Sequence, residues 1–161
     1  MIRLSEEILI NEDIQKVWAF LSNLKFSLSF NRFHVEIKFF GPFSVNNNSE
    51  FIIVHNFGFG NLDMIAKVIE CIPLKRLAIS EQPIKPNKKG FSHKIVFELQ
   101  KNGDFTNLCY SLSGTYGGKV QNISFKPILK RVLKEEIKKI KIAIESSDSV
   151  PENLNIGNIS P

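Results

Sequence analysis

The chain has 161 residues, 43% of them hydrophobic and 23% charged, the balance of one ordinary globular domain. A chain of this length buries roughly 70% of its unfolded surface, so it needs neither a metal nor a disulfide to fold, and its two cysteines, Cys71 and Cys109, are too sparse for a secreted disulfide scaffold. Apolar runs are short, as at 51–54, which excludes a spanning helix of roughly 20 residues; no basic region leads into an apolar one near Met1, so no signal peptide is expected and the chain is expected to be cytoplasmic.

Residues 5–11 alternate around Ile8 and Ile10 and read as an edge strand. Asn11, Glu12 and Asp13 then supply capping side chains and early negative charge for a helix over 13–24. Its Ile14, Val17, Trp18 and Leu21 fall at i, i+3, i+4 and i+7, so they form one inward face. Residues 25–33 follow neither period and are expected to be a loop or short helix, ahead of a strand over 35–40 with Val35, Ile37 and Phe39 on one face. Gly41-Pro42 ends that strand, and the asparagine-rich 44–49 is a loop.

Strands follow at 51–57, 62–71, 76–81, 91–100 and 106–116, with an exposed loop over 82–90 that carries two prolines. Asn102-Gly103 between the last two is the strongest hairpin signal in the chain. A long amphipathic helix closes the domain over 126–147: Pro127 suits its first turn, and Leu129, Val132, Leu133, Ile137, Ile140 and Ile144 make its buried stripe. Glu135 and Lys139 form a supportive i,i+4 pair. Residues 148–161 are polar and aperiodic and are expected to be a disordered tail, leaving 1–147 as a single α+β domain with helices on one face of an antiparallel sheet.

Most of the net charge of +5 sits on the last helix, where Lys126, Lys130, Arg131, Lys134, Lys138, Lys139 and Lys141 outnumber Glu135, Glu136 and Glu145. A solvated helix back is the plain reading; transient contact with an anionic membrane surface is the functional one. No nucleic-acid partner is expected, because the 14 phenylalanines fall on inward parity beside few basic residues.

The order of elements resembles the helix-grip superfamily that includes START lipid-transfer domains, polyketide cyclases and pollen-allergen proteins. Three stretches carry the resemblance: 8–18 at the first strand and helix, 66–73 ahead of Arg76-Leu77, and 129–145 in the closing helix. It implies a seven-stranded antiparallel sheet curved around the C-terminal helix, with a cavity between them for an apolar or amphipathic ligand. Members range from carriers to cyclases and receptors, so the fold alone does not choose.

Strand parity nominates the lining. Phe51, Ile53, His55 and Phe57 share a face of one strand; Phe91, His93, Ile95, Phe97 and Leu99 share a face of another; Leu108, Tyr110 and Leu112 point the same way on the next, and Leu133 and Ile137 face them from the helix. That parity turns Cys109 outward. His55, His93 and Tyr110 come out on apolar faces, either as core residues bonded to backbone or as polar groups that orient a ligand. They are also the candidate acid–base residues of an enzyme.

Three histidines without a His-x-x-His or Cys-x-x-Cys pair give no metal motif, and the glycine clusters match no phosphate cradle, so neither a metal nor a cofactor is expected. The expected function is an intracellular binding or carrier protein for a hydrophobic small molecule such as a lipid, isoprenoid, pigment or polyketide. The alternatives are a polyketide cyclase or dehydratase-like enzyme using the same cavity, and an interaction module with a vestigial pocket.

Overall fold

The computed structural model describes residues 1–58, 60–85, 91–115 and 119–146, without the side chains of 119–122. The expected tail at 148–161, and the parts of the expected loop and strand at 86–90 and at Tyr116, lie outside the described residues.

The chain opens with β1 (Ile2–Ile10), α1 (Ile14–Ser22), α2 (Leu24–Ser27) and a 3-10 turn (Leu28–Phe30). Six strands follow, β2 (His34–Phe39), β3 (Glu50–Asn56), β4 (Asn61–Ile72), β5 (Arg76–Pro83), β6 (Ser92–Asn102) and β7 (Phe105–Thr115), and α3 (Lys119–Ser146) closes the fold. All seven strands pair antiparallel in the order β1-β7-β6-β5-β4-β3-β2. The expected α+β architecture of a seven-stranded sheet with one long C-terminal helix is the one observed. β1 and β2 form the two edges, and α1 and α2 carry the chain from one to the other.

Local chemistry explains the elements. Asp13 caps α1 by accepting a hydrogen bond from the Lys16 N–H at 2.9 Å, and Val17 and Leu21 go into the core. The β6–β7 turn is two residues long, with Asn102 paired to Phe105. Gly103 alone has positive φ there, the pattern of a II′ turn rather than the I′ turn that Asn-Gly favours.

Three expectations need correction. Val35 does not share a face with Ile37 and Phe39: His34 pairs with His55 and Glu36 with Val54, so Val35 is the extra residue of a bulge and stands 57% exposed. The bulge turns His34 inward instead. Nor does Pro127 open the last helix, which begins at Lys119 and carries Pro127 in its interior. Proline leaves the Ile123 carbonyl without its N–H, but Ile123 is 69% exposed, so the lost bond falls on the solvent side of the helix, which continues through it. Phe125, half-buried against the core, ties the segment before the proline down. Farther along, Glu135 accepts from Arg131 at 2.8 Å rather than meeting Lys139.

The core lies between the sheet and α3. All six expected stripe residues of α3 are buried, and the helix packs along β1, β7 and the 3-10 turn.

Candidate functional site

Four strands bring titratable groups onto the inner face of the sheet away from α3's main contact. His34 enters from β2 through the bulge, opposite His55 of β3. Glu81 of β5 lies opposite His93 of β6. Glu81 reaches across β4, where its register partner is the small Ala66, to accept a hydrogen bond from His55 Nε2 at 2.7 Å. Its other oxygen, Oε1, lies 3.6 Å from His93 Nε2. The imidazoles of His34 and His55 meet edge to face with ring centres 4.6 Å apart.

Backbone carbonyls fix two of the tautomers, because a carbonyl oxygen can only accept. His34 Nδ1 donates to the Leu28 carbonyl and His93 Nδ1 to the Phe91 carbonyl, each at 2.7 Å. Burial lowers the His34 pKa to about 4 despite the pull of Glu81, so its ring is neutral and Nε2 is a bare lone pair. Burial alone would raise Glu81, but the attraction of His93, the hydrogen bond from His55 and the neighbouring imidazoles of His34 and His55 outweigh it and hold the carboxyl at about 2. Gly114 makes room for this corner: a Cβ there would stand 2.5 Å from the Ser92 carbonyl oxygen and 2.6 Å from His93 Cβ.

A second polar group bridges sheet and helix. Tyr110 of β7 donates to Glu136 Oε1 and Asn31 donates to Glu136 Oε2, both at 3.1 Å. Burial pushes Glu136 up to about 8 against the opposing effect of those hydrogen bonds, with the charge of Glu81 adding to the rise. Tyr110 is raised well above its ordinary value, first by burial and then by Glu136.

Aromatic rings pack around the histidines. Phe33, Phe57 and Phe125 are half-buried; Phe33 and Phe57 lie 4.9 Å apart, Phe57 stacks on His55 at 5.3 Å, and Phe125 sits 6.3 Å from Phe57 and 6.2 Å from Phe91. Phe91 in turn stacks on His93 at 4.6 Å. Two open grooves of about 420 and 530 Å³ lie elsewhere, on the outer face, one bordered by Glu7, Arg76 and Glu98 and the other by Arg3, Ser5 and Ser113.

No protein-family profile and no curated protein matches the sequence. Solved structures do. A START superfamily protein from Mycobacterium smegmatis superimposes with a TM-score of 0.71 at 13% identity, covering 89% of this chain and 97% of that one. A conserved protein from Geobacillus kaustophilus gives 0.68 at 19% identity, covering 89% and 95%. The chain has the helix-grip fold. DynU16, a protein of the dynemicin biosynthetic locus, gives 0.64 at 13% identity over 89% of this chain and 47% of its own length.

Within the helix grip, the residues expected to line the interior are nearly all enclosed. Phe51, Ile53 and Leu108 are fully buried, Ile95, Phe97, Tyr110, Leu133 and Ile137 almost so, and Leu112 and His93 keep 6% and 8% of their surface. Phe57 alone is half-buried. Of the three candidate acid–base residues, His55 and His93 come together, with ring centres 6.0 Å apart, while Tyr110 belongs to the Glu136 group. Cys71 and Cys109 are both free and half-buried, in keeping with the outward parity of Cys109. Among the described residues no helix is long and apolar enough to cross a membrane.

Sequence reasoning missed His34, Glu81, Asn31 and Glu136. Glu81 shares parity with Leu77 and Ile79, and Glu136 lies on the stripe between Val132 and Ile140, so both carried a signal. His34 carried none, since the bulge that turns it inward is not written in the alternation. The ground for setting a metal aside was that three dispersed histidines make no motif; the fold gathers all three beside Glu81.

Proposed function

We propose that this helix-grip protein binds a hydrophobic or amphipathic small molecule between the sheet and α3. The observation that carries the reading is the half-buried cluster of Phe33, Phe57 and Phe125, which packs against His55 and the buried polar side chains beside it. Binding sites for small ligands have this composition, an apolar wall with a small number of convergent polar groups that fix orientation. Entry is expected at that half-buried rim, since Phe51, Ile53 and Leu108 are enclosed. Apolar burial at about 25 cal/mol per Å² supplies most of the affinity before ordering costs. Native mass spectrometry and solvent extraction of the purified protein are expected to show a bound apolar compound, and a fluorescent lipid or polyaromatic probe is expected to compete with it. No co-purified compound and no saturable probe uptake would reject the reading.

One observation favours a second reading, a cyclase or dehydratase-like enzyme using the same interior. Glu136 of α3 keeps its proton up to about pH 8, which makes it a buried acid at neutral pH within electrostatic reach of Glu81, the partner of His55. On this reading, replacing either histidine abolishes turnover of a polyketide-like substrate with little change in its binding. Wild-type turnover in both variants would sink it.

A further inference from the structure

All three histidines of the chain end in one group with Glu81. One ligating atom each from His34, His55 and Glu81 lies within 4.8 Å of the other two. The hydrogen bonds determine which atoms are left over. His34 spends Nδ1 on the Leu28 carbonyl, and His55 spends Nε2 on Glu81 Oε2. His34 Nε2, His55 Nδ1 and Glu81 Oε1 are therefore buried with no hydrogen-bond partner among the described residues. Each such atom carries a desolvation cost of about 1–3 kcal/mol when nothing faces it. His34 Nε2 and Glu81 Oε1 present lone pairs, and so does His55 Nδ1 in a neutral ring. One water donates to two acceptors at most, whereas a cation can draw one ligating atom from each of the three residues.

From this geometry we infer that His34, His55 and Glu81 are the ligands of a divalent transition-metal cation of the zinc type, with His93 Nε2, 3.6 Å from Glu81 Oε1, flanking the group. Two imidazoles and one carboxylate suit zinc and its first-row neighbours, and not magnesium or calcium, which demand oxygen shells. An outer contact fits as well. A ligating histidine ordinarily donates its second ring N–H to a carbonyl or carboxylate, as His34 does to Leu28. Metal–ligand bonds of about 2.0–2.2 Å bring ligand atoms to roughly 3.3 Å from each other, so the group has to contract by about 1–1.5 Å, which side-chain rotation supplies. His34 lies on the edge strand β2 and is half-buried as a residue. The inference stands on this cluster alone and is independent of whether the interior takes an apolar ligand.

The test is titration of chelator-stripped full-length protein with cobalt(II) and then zinc(II). One equivalent of cobalt is expected to bind with the visible absorption of a four- or five-coordinate nitrogen–oxygen site, zinc is expected to displace it, and zinc is expected to raise the melting temperature. His34→Gln, on an edge strand, is expected to keep the circular dichroism and metal-free melting of the parent while weakening zinc at least about tenfold; Glu81→Gln is expected to do the same. Failure of the folded parent to take up cobalt at micromolar concentration would overturn the inference. So would uptake with unchanged affinity in His34→Gln, which places the ion elsewhere on the protein.

Discussion

The inner face of the sheet has two halves built on opposite principles. Beneath α3, Ile10 of β1 and Leu108 of β7 face Ile137, Ile140 and Ile144, and the contact is apolar and closed. Over β2, β3, β5 and β6 the corresponding positions carry His34, His55, Glu81 and His93, with half-buried phenylalanines beside them. Well-packed aliphatic side chains in the second half would cost less, since burying charged and imidazole groups is seldom better for stability than a hydrophobic substitute. A domain of this size can fold on apolar burial alone. The half under α3 is therefore the one built for stability, and the polar half is where the proposed ligand and the inferred cation would sit.

The firmest way to break this division is to remove mass from the closed half. Ile140 is wholly buried, so Ile140→Ala is expected to lower unfolding stability by about 2–5 kcal/mol in denaturant titrations followed by Trp18 fluorescence. A loss below about 1 kcal/mol would mean that α3 is not packed as a core element.

Glu136 lies on the seam between the halves, and its protonation sharpens the contrast. Its pKa is about 8 in the folded chain against an ordinary 4.5, so the native state holds the proton where the unfolded state has released it. Stability contributed by the neutral form is then full below about pH 4.5 and is lost as pH rises toward 8. Glu136→Gln removes this dependence: its stability relative to the parent is expected to climb across that window at up to about 1.4 kcal/mol per pH unit and then level off. A difference that does not change with pH would show that Glu136 is ionised in the fold.

The two halves also differed in how much of them could be read from the residues alone. The stripe on α3 and the inward faces of β3, β6 and β7 followed from period 3.6 and period 2, because an apolar face has to repeat. The polar half obeys the same periods, but at Glu81 and Glu136 the residue type argues against burial and the parity was not followed through. His34 depends on a bulge, a local insertion with no periodic signature, so alternation assigned Val35 in its place. Convergence of Glu81 with His55 depends on strand order and on the small side chain of Ala66, which only the assembled sheet reveals.

The smallest expected effect discriminates best between a core and an approach. Phe57 is half-buried and touches Phe33, His55 and Phe125, so it could be ordinary packing. Phe57→Leu keeps most of the apolar volume and is expected to cost under about 1.5 kcal/mol of stability. Its ring contacts are worth about 0.5–1.5 kcal/mol, so affinity for an apolar probe is expected to fall by about threefold to tenfold in fluorescence titrations. A stability loss like that of Ile140→Ala with unaltered probe binding would place Phe57 in the closed core, and the aromatic rim would cease to mark a way in.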